Sequence, residues 1–256
     1  MIRDYIGLIK FRYHLSFALV LLGALFFTPK IDFSLFISLL LVYFSFNVLM
    51  YSGLYTLNDI EDRQADSLHP VKRRRAISSR RISLTNAWIF SILTILAGLL
   101  IAFFSFRKIF YVYLIFIGFN IFYTYFAKKI PYLELIGNSF TYPLRFVMGA
   151  LLVGSMTPTN LIIACFFVAL GGSCERRIIE MNHRGYEARE VLIYYTRNKL
   201  FLIQILSFAA VLAVFFIDFP KNWIIYSLLT LFYIIFVFVL GYNKKLRTLL
   251  NRLWLN

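Results

Sequence analysis

The sequence alternates between long, nearly uncharged apolar runs and short polar segments. The apolar runs cover approximately residues 13–29, 33–57, 82–106, 109–127, 135–154, 159–174, 200–217 and 222–242. Each has roughly the 17 to 25 residues that an apolar helix needs to cross the hydrocarbon core of a bilayer. The runs are too long and too uniformly apolar to be alternating barrel strands. The pattern therefore predicts an all-α, multispanning transmembrane helical bundle with eight spans.

The composition excludes a water-soluble domain of this size, because 61% of the 256 residues are hydrophobic and only 15% are charged. No internal repeat or soluble segment stands apart, so we expect a single transmembrane domain over residues 1–256. The first twelve residues contain Asp4 and three basic residues without a small-residue cleavage pattern, which favours a retained first span. Basic and Leu/Trp positions alternate at helical spacing in residues 243–256 and predict a short interfacial helix.

The basic residues predict the orientation in the membrane. With a cytosolic N-terminus, 22 Lys and Arg residues lie on the cytosolic side and 4 on the other side. This bias indicates an integral protein of the cytoplasmic membrane whose N-terminus and charged loops are cytosolic. The net charge of +15 then reports topology and attraction to anionic lipids, and we expect no nucleic-acid partner.

The polar segment 57–78 concentrates acidic residues and then basic ones. Asn58, Asp59, Asp62 and Asp66 fall on one face if the second span continues as a helix. Carboxylates at this spacing repel one another unless a cation lies between them, and Mg²⁺ prefers one or two carboxylates together with substrate phosphate oxygens. The pattern therefore predicts a Mg²⁺ site that holds a diphosphate. The alternative is a solvated acidic turn that the following arginines neutralise.

These residues resemble a known family. The pattern N-D-xx-D-xxx-D-xx-H-P-x-K-xx-R, which begins at Asn58, resembles the first aspartate motif of the UbiA-type intramembrane prenyltransferase superfamily. Its end, with Lys72 and Arg75, resembles the decaprenyl-phosphate phosphoribosyltransferase branch. That branch usually continues with Pro and a Gly-containing turn, where this chain has Ala76 and then Ser-Ser-Arg at residues 78–80.

Three further stretches carry the resemblance. Residues 120–150 are similar to the family's Y-xxxx-K-xx-P-x-L-D and F-xx-R patterns through Tyr123, Lys128, Glu134 and Arg145, with Glu134 in place of the usual Asp. Residues 175–196 resemble the phosphoribosyl branch through Arg176, Arg177, Glu180, Arg189, Leu192, Tyr195 and Thr196. Residues 9–17 are similar to the family's basic segment before the first helix through Lys10, Arg12 and His14.

The resemblance implies eight or nine transmembrane helices around a central cavity that opens to the cytosol. It implies Mg²⁺-dependent transfer of 5-phosphoribose from phosphoribosyl diphosphate to a polyprenyl phosphate, for cell-envelope glycan precursor synthesis. The implied metal ligands are Asn58, Asp59, Asp62 and Asp66, of which the three aspartates are catalytic. The implied substrate and phosphate contacts are Asn58, Lys72, Arg75, Tyr123, Lys128, Glu134, Arg145, Arg176, Arg177, Glu180 and Arg189.

Segment 175–196 favours the phosphoribosyl branch, because members that use prenyl diphosphates carry a second DxxxD motif there and this segment has no aspartate. A prenyltransferase that joins a prenyl diphosphate to an aromatic or other small acceptor is the alternative. A lipid carrier or transporter is a third hypothesis, disfavoured because nearly all charge collects at one membrane face.

Three residues have two interpretations. Arg145 lies about ten residues into its span, where it requires compensation: it either pairs with Glu134 or Glu180, or lines the cavity under the lipid phosphate. Tyr123 and Lys128 either border the donor pocket or act as interfacial anchors.

Overall fold

The structure, a computed structural model, describes residues 2–28, 30–68, 71–181, 190–219 and 222–239, and most of these residues are helical. Within these ranges there is no β-strand, and the described part of each predicted apolar run overlaps a helical segment. The predicted all-α class is therefore confirmed. The predicted interfacial helix over 243–256 lies outside the described residues.

The α-helices are numbered in chain order. They are α1 (Ile2–Leu8), α2 (Ala18–Phe27), α3 (Phe33–Val42), α4 (Tyr51–Glu61), α5 (Arg63–Leu68), α6 (Leu84–Ser105), α7 (Arg107–Tyr125), α8 (Leu133–Leu152), α9 (Thr159–Met181), α10 (Arg197–Asp218) and α11 (Trp223–Tyr233). Short 3₁₀ helices are Phe11–Phe17, Lys72–Arg74, Ala127–Lys129 and Glu190–Tyr194. The π-helical segment Tyr43–Met50 connects α3 to α4. A second π-helical segment, Ile234–Val239, directly follows α11.

Among the residues that the structure describes, five helical stretches are long and apolar enough to cross a membrane by length and composition. They are Ile2–Phe27, Phe33–Glu61, Leu84–Ser105, Arg107–Lys129 and Arg197–Asp218, and Trp223–Val239 is a shorter apolar helix. Helices α8 and α9 are long enough to span, but each carries buried charged residues, such as Arg145 and Glu175, that reduce its apolar character. The eight predicted spans therefore differ in polarity, and α8 and α9 carry polar chemistry within the bundle.

The chain divides into two compact units. The first contains residues 1–125 and 144–157, and its core joins α2, α3, α4, α6, α7 and the second half of α8 around Phe46, Met50, Tyr113, Phe116 and Met148. Close helix packing within this unit requires glycine. A Cβ at Gly149 would meet the backbone of Val20 and Ala24 on α2, and a Cβ at Gly23 would meet the backbone of Phe146.

The second unit contains residues 126–143 and 158–256. Helices α9 and α10 form its main helix pair, and α11 packs against both. One apolar cluster joins the start of α8 to α9 and α10 through Leu135, Cys174, Ile178 and Leu200. Gly171 on α9 leaves room for the ring of Tyr233, whose hydroxyl donates to the Gln204 carbonyl at 2.6 Å.

Candidate active site

The acidic motif lies where α4 leaves its span. The backbone amide of Asp62 donates to the Asn58 carbonyl at 2.9 Å, and that of Asp66 donates to the Asp62 carbonyl at 2.8 Å. Helical hydrogen bonding thus continues from α4 into α5, as the spacing of the acids predicts. The continued helix places residues that are four or seven positions apart on the same side.

Asp59 lies at the centre of a buried charge cluster in the first unit. Lys10 Nζ lies 2.6 Å from its Oδ2, and Arg75 Nη1 lies 2.9 Å from its Oδ1. The same Arg75 nitrogen contacts Asp66 Oδ2 at 2.7 Å. Both carboxylates are nearly inaccessible, at 2% exposed for Asp59 and 4% for Asp66. The structure therefore holds positive charge between two of the predicted metal ligands, which are seven residues apart in sequence.

The other two predicted ligands form a pair of their own, in which Asn58 Nδ2 donates to Asp62 Oδ2 at 2.9 Å. Across the described part of the chain, no three carboxylate, imidazole or thiol groups converge into a metal-binding cluster. Mg²⁺ in phosphate-transfer sites is commonly held by one or two carboxylates, with water and substrate phosphate at the other positions. Asp59 and Asp66 fit this requirement in number and in chemistry, because they already converge on one cationic nitrogen.

The electrostatics at Asp66 favour a cation. Burial raises the pKa of the Asp66 carboxyl, and the guanidinium of Arg75 opposes this shift without cancelling it. Additional positive charge near Asp66 would stabilise its ionised form further.

Arg75 is positioned by the loop that follows the motif. Ala76, Ile77 and Ile82 pack with Leu8 and Ile60 in a small apolar cluster beneath the loop. Ser79 Oγ donates to the Arg75 carbonyl at 2.7 Å. The loop is therefore anchored at Arg75 itself and on its C-terminal side.

Arg80 makes a left-handed turn in this loop. Its φ of 61° lies in the left-handed region, which glycine adopts most readily. Arg81 fixes the end of the turn, because it donates to the Arg74 carbonyl at 2.8 Å and to Asp4 Oδ1 at 2.7 Å. Lys72 lies in the half-exposed 3₁₀ turn Lys72–Arg74.

A second charge network lies in the other unit, where α8 begins and α9 ends. Arg177 Nε and Nη2 contact the two oxygens of Glu134 at 2.5 and 2.6 Å, and Nη1 contacts Glu180. Tyr195 Oη donates to Glu134 Oε1 at 3.0 Å and accepts from the Tyr132 amide at 2.9 Å. Glu134 is 0% exposed and Arg177 is 3% exposed. This two-pronged pair holds the polar ends of the two helices together.

The network changes the interpretation of several predicted phosphate contacts. The guanidinium of Arg177 forms ion pairs with Glu134 and Glu180, so the structure joins these three residues to one another. Glu134 and Glu180, which the sequence offered as partners of Arg145, each form an ion pair with Arg177. Arg176 is half-exposed and lies 3.4 Å from Glu180 at i, i+4.

Arg145 lies among aromatic rings of the first unit. Its guanidinium carbon is 4.8 Å from the ring centroid of Phe116, 4.9 Å from that of Tyr51 and 5.7 Å from that of Phe46. The side chain is 1% exposed. Rings at these distances attract a cation through their quadrupoles. The three rings form an aromatic cage around the guanidinium. This cage offsets part of the cost of burying the charge, and the sequence analysis did not consider it.

The remaining predicted contacts are Tyr123, Lys128 and Arg189. Tyr123 is half-buried near the end of α7, and Lys128 is 9% exposed in the 3₁₀ turn after it. Arg189 lies outside the described residues, as do His69 and Pro70. Sequence reasoning did not assign Lys10 to the site, because nothing in the spacing links residue 10 to residue 59. It also missed the cage, since Phe and Tyr are too frequent in the chain for three of them to stand out.

Comparison with known proteins agrees with this fold. Residues 16–255 match the UbiA prenyltransferase family. The chain is 32% identical over 134 residues to digeranylgeranylglyceryl phosphate synthase from Methanococcus maripaludis, which covers 51% of this chain and 46% of that protein. It is 31% identical over 122 residues to nodulation protein NoeC from Azorhizobium caulinodans, which covers 46% of this chain and 39% of that protein. The matches thus span less than half the length of both relatives.

The fold has a solved counterpart. The structure of a UbiA homolog from Archaeoglobus fulgidus bound to GPP and Mg²⁺ superimposes with a TM-score of 0.78 at 18% identity, covering 98% of this chain and 95% of that one. At this identity the likeness is one of fold. Because the family match extends over nearly the whole sequence, the protein belongs to the UbiA prenyltransferase family.

Proposed function

We propose that this protein is a Mg²⁺-dependent membrane transferase that moves 5-phosphoribose from phosphoribosyl diphosphate to a polyprenyl phosphate. The observation that carries the proposal is the pair of buried carboxylates, Asp59 and Asp66, which converge on one cationic nitrogen where a membrane-spanning helix ends. The product, a phosphoribosylated lipid, would serve cell-envelope glycan precursor synthesis.

Asp59, Asp62 and Asp66 would hold the metal, with Asn58 assisting through its link to Asp62. When bound, Mg²⁺ neutralises the negative charge that builds on a diphosphate leaving group. The solved relatives with GPP and Mg²⁺ and with DMAPP and Mg²⁺ support a metal-dependent diphosphate site in this fold. The segment that follows the acidic motif provides positive charge for phosphate oxygens through Lys72 and Arg75.

In the proposed reaction, the bond between C1 of the ribose and the diphosphate oxygen breaks, and C1 gains oxocarbenium character. An oxygen of the polyprenyl phosphate then bonds to C1, and diphosphate leaves with the electron pair. The attacking oxygen is already anionic, so no strong general base is needed. Correct positioning of the two phosphate-bearing substrates would therefore contribute most to the rate.

Segment 175–196 supports phosphoribosyl diphosphate as the donor. It has no aspartate and carries Arg176, Arg177 and Arg189. Arginine suits bidentate contacts with phosphate, and phosphoribosyl diphosphate has a 5-phosphate in addition to its diphosphate. Since Arg177 is bound to Glu134 and Glu180, the half-exposed Arg176 is the stronger candidate of the adjacent pair for this phosphate.

The alternative is transfer from a prenyl diphosphate to an aromatic or other small acceptor. It is favoured by the identity with digeranylgeranylglyceryl phosphate synthase and by the GPP and DMAPP in the solved relatives. The acidic motif serves both donors, because each presents a diphosphate to the metal.

Two parallel assays on the detergent-purified protein separate the donors. In one, labelled phosphoribosyl diphosphate and short polyprenyl phosphates are incubated with Mg²⁺. In the other, a labelled prenyl diphosphate is incubated with aromatic acceptors. We expect labelled lipid in the first assay, its loss with EDTA and its return when excess Mg²⁺ is added. Product only in the second assay would overturn the proposed donor.

A further inference from the structure

We propose that Lys10 is a further residue of this site and that it alternates between two partners. Its ammonium neutralises Asp59 when no metal-bound donor is present, and it contacts the donor diphosphate once a metal occupies the carboxylates. This inference rests on the proposed function, because it requires a metal and a diphosphate at Asp59. It adds a residue whose role is to bind the donor and to compete with the free metal.

The contacts of Lys10 are those of a buried site residue rather than of a surface lysine. Lys10 Nζ lies 2.6 Å from Asp59 Oδ2, and the two side chains are only 10% and 3% exposed. The ammonium also lies 5.9 Å from the ring centroid of Tyr55. Arg75 contacts the other oxygen of Asp59, so each oxygen of this carboxylate has its own cationic partner.

The backbone around Lys10 is held in an uncommon conformation that brings the side chain to this place. Its φ of 54° and ψ of 48° lie in the left-handed region, which residues other than glycine rarely adopt. The residue separates α1 from the 3₁₀ helix Phe11–Phe17. Strained conformations of this kind persist only where the surrounding structure fixes them, and they concentrate at functional sites.

Two contacts of the Ile9 carbonyl fix this break in the helix. The Ile9 carbonyl accepts from His14 Nε2 at 3.1 Å and from Ser52 Oγ at 3.4 Å. His14 Nδ1 accepts in turn from the Tyr43 hydroxyl at 2.8 Å. The carbonyl is therefore tied to α4 through Ser52 and to the π-helical segment through Tyr43. The break is part of the packed structure of the first unit.

A metal bound by Asp59 would compete with Lys10. Two cations within bonding distance of one carboxylate repel each other strongly in a buried site, so the metal and the ammonium cannot both make full use of Asp59. Lysine has a flexible four-carbon stem and three donors, which allow it to turn to a new acceptor. The diphosphate that arrives with the metal provides such acceptors beside Asp59.

This exchange of partners predicts that one substitution strengthens metal binding and weakens diphosphate binding. Lys10→Gln removes the competing cation, so the full chain should bind Mn²⁺, used as a spectroscopic substitute for Mg²⁺, about threefold more tightly or better in the absence of diphosphate. The same variant loses a contact to phosphate, so inorganic diphosphate should bind to the Mn²⁺-loaded protein about threefold more weakly or worse. Electron paramagnetic resonance of free Mn²⁺ gives the first affinity, and calorimetry gives the second.

Arg12→Gln is the matched control, because Arg12 lies two residues away, carries the same charge and is exposed, with its guanidinium on the Tyr13 hydroxyl at 2.9 Å. We expect both affinities of this variant to stay near those of the wild type. Lys10→Arg should restore the wild-type pattern in part. Lys10→Met, which keeps an apolar stem over Tyr55, replaces Lys10→Gln if thermal unfolding shows that the glutamine variant does not fold.

Opposite changes of the Mn²⁺ and diphosphate affinities in the Lys10 variant, absent from the Arg12 control, would support the inference. Shifts of the same sign, or no shift, would overturn it and leave the proposed function in place, since they would mean that Lys10 only stabilises the fold or the general charge. A wild-type protein that binds no Mn²⁺ with or without diphosphate would overturn the proposed function together with this inference.

Discussion

Single side chains decide the chemistry of the acidic motif, and Asp62 is the most informative of them. It is half-exposed and hydrogen-bonded to Asn58, whereas Asp59 and Asp66 are buried in ion pairs. Loss of an outer-shell partner alone costs roughly 10- to 100-fold in metal affinity or activity. We therefore expect Asp62→Asn to lower turnover by about that factor or more while the unfolding temperature stays close to that of the wild type.

Glu61→Gln is the control for this substitution, because it removes a carboxylate from the adjacent half-exposed position. Turnover is measured with labelled donor, and folding is followed by thermal unfolding in detergent. Equal activities of Asp62→Asn and the wild type would remove this residue from the mechanism. A similar loss in Glu61→Gln would instead indicate a general effect of local charge.

Arg145 tests how the protein tolerates a buried cation. A central arginine costs roughly 2.5 to 3.5 kcal/mol on insertion scales. Its three ring contacts return about 0.5 to 2 kcal/mol each, or roughly 1.5 to 6 kcal/mol together, a range that brackets this cost. We expect Arg145→Met to change the free energy of unfolding by only about 1 kcal/mol, and Arg145→Ala to cost about 2 to 5 kcal/mol because it leaves a cavity. A large loss in Arg145→Met would show that the charge itself is essential to the fold.

Helices α8 and α9 depend on the ion pair between Glu134 and Arg177. Breaking a buried pair by removing one partner typically costs 3 to 5 kcal/mol, because the remaining charge is left without its partner. Arg177→Met should therefore lower the unfolding temperature strongly, and the double variant Glu134→Gln/Arg177→Met should recover part of this loss. Arg176→Met, at the half-exposed neighbouring position, is the control and should have a small effect. Equal stabilities of Arg177→Met and Arg176→Met would contradict a structural role for the pair.

Helix packing in the first unit depends on glycine at defined positions. Gly149→Ala would place a Cβ against the backbone of Val20 and Ala24, which cannot move as a flexible side chain could. We expect it to destabilise the protein by about 1 to 3 kcal/mol. Gly118→Ala on α7 has open space around the added carbon and should be neutral or slightly stabilising, by up to about 1 kcal/mol. Thermal unfolding of the two variants in the same detergent checks the difference, and equal destabilisation would contradict the close contact.

The helices could be predicted from sequence because apolar length alone is sufficient to indicate spans, and the acidic motif because its spacing matches one helix face. The partners of these residues could not be predicted in the same way. Arg177 pairs with Glu134 across 43 positions and Lys10 with Asp59 across 49, and local periodicity carries no information about such contacts. The left-handed turn at Arg80 was also unpredictable, because arginine rarely adopts this conformation.

The orientation of the whole molecule in the membrane stays a prediction from its basic residues and can be tested directly. Within the described ranges both cysteines, Cys165 and Cys174, are buried, so they should contribute little background to labelling. Ser67→Cys beside the acidic motif and Lys30→Cys after the first span introduce single cysteines at exposed positions, which the predicted topology places on opposite sides of the membrane. In intact cells a membrane-impermeant maleimide should label the cysteine at position 30 and not the one at position 67.

In inverted vesicles the labelling should reverse, because the predicted cytosolic face, with 22 of the Lys and Arg residues, is then outside. A water-soluble donor such as phosphoribosyl diphosphate is available on the cytosolic side, so this orientation is also a requirement of the proposed reaction. Labelling at position 67 in intact cells would place the acidic motif on the outer face, where the proposed donor could not reach it, and would contradict both the topology and the function.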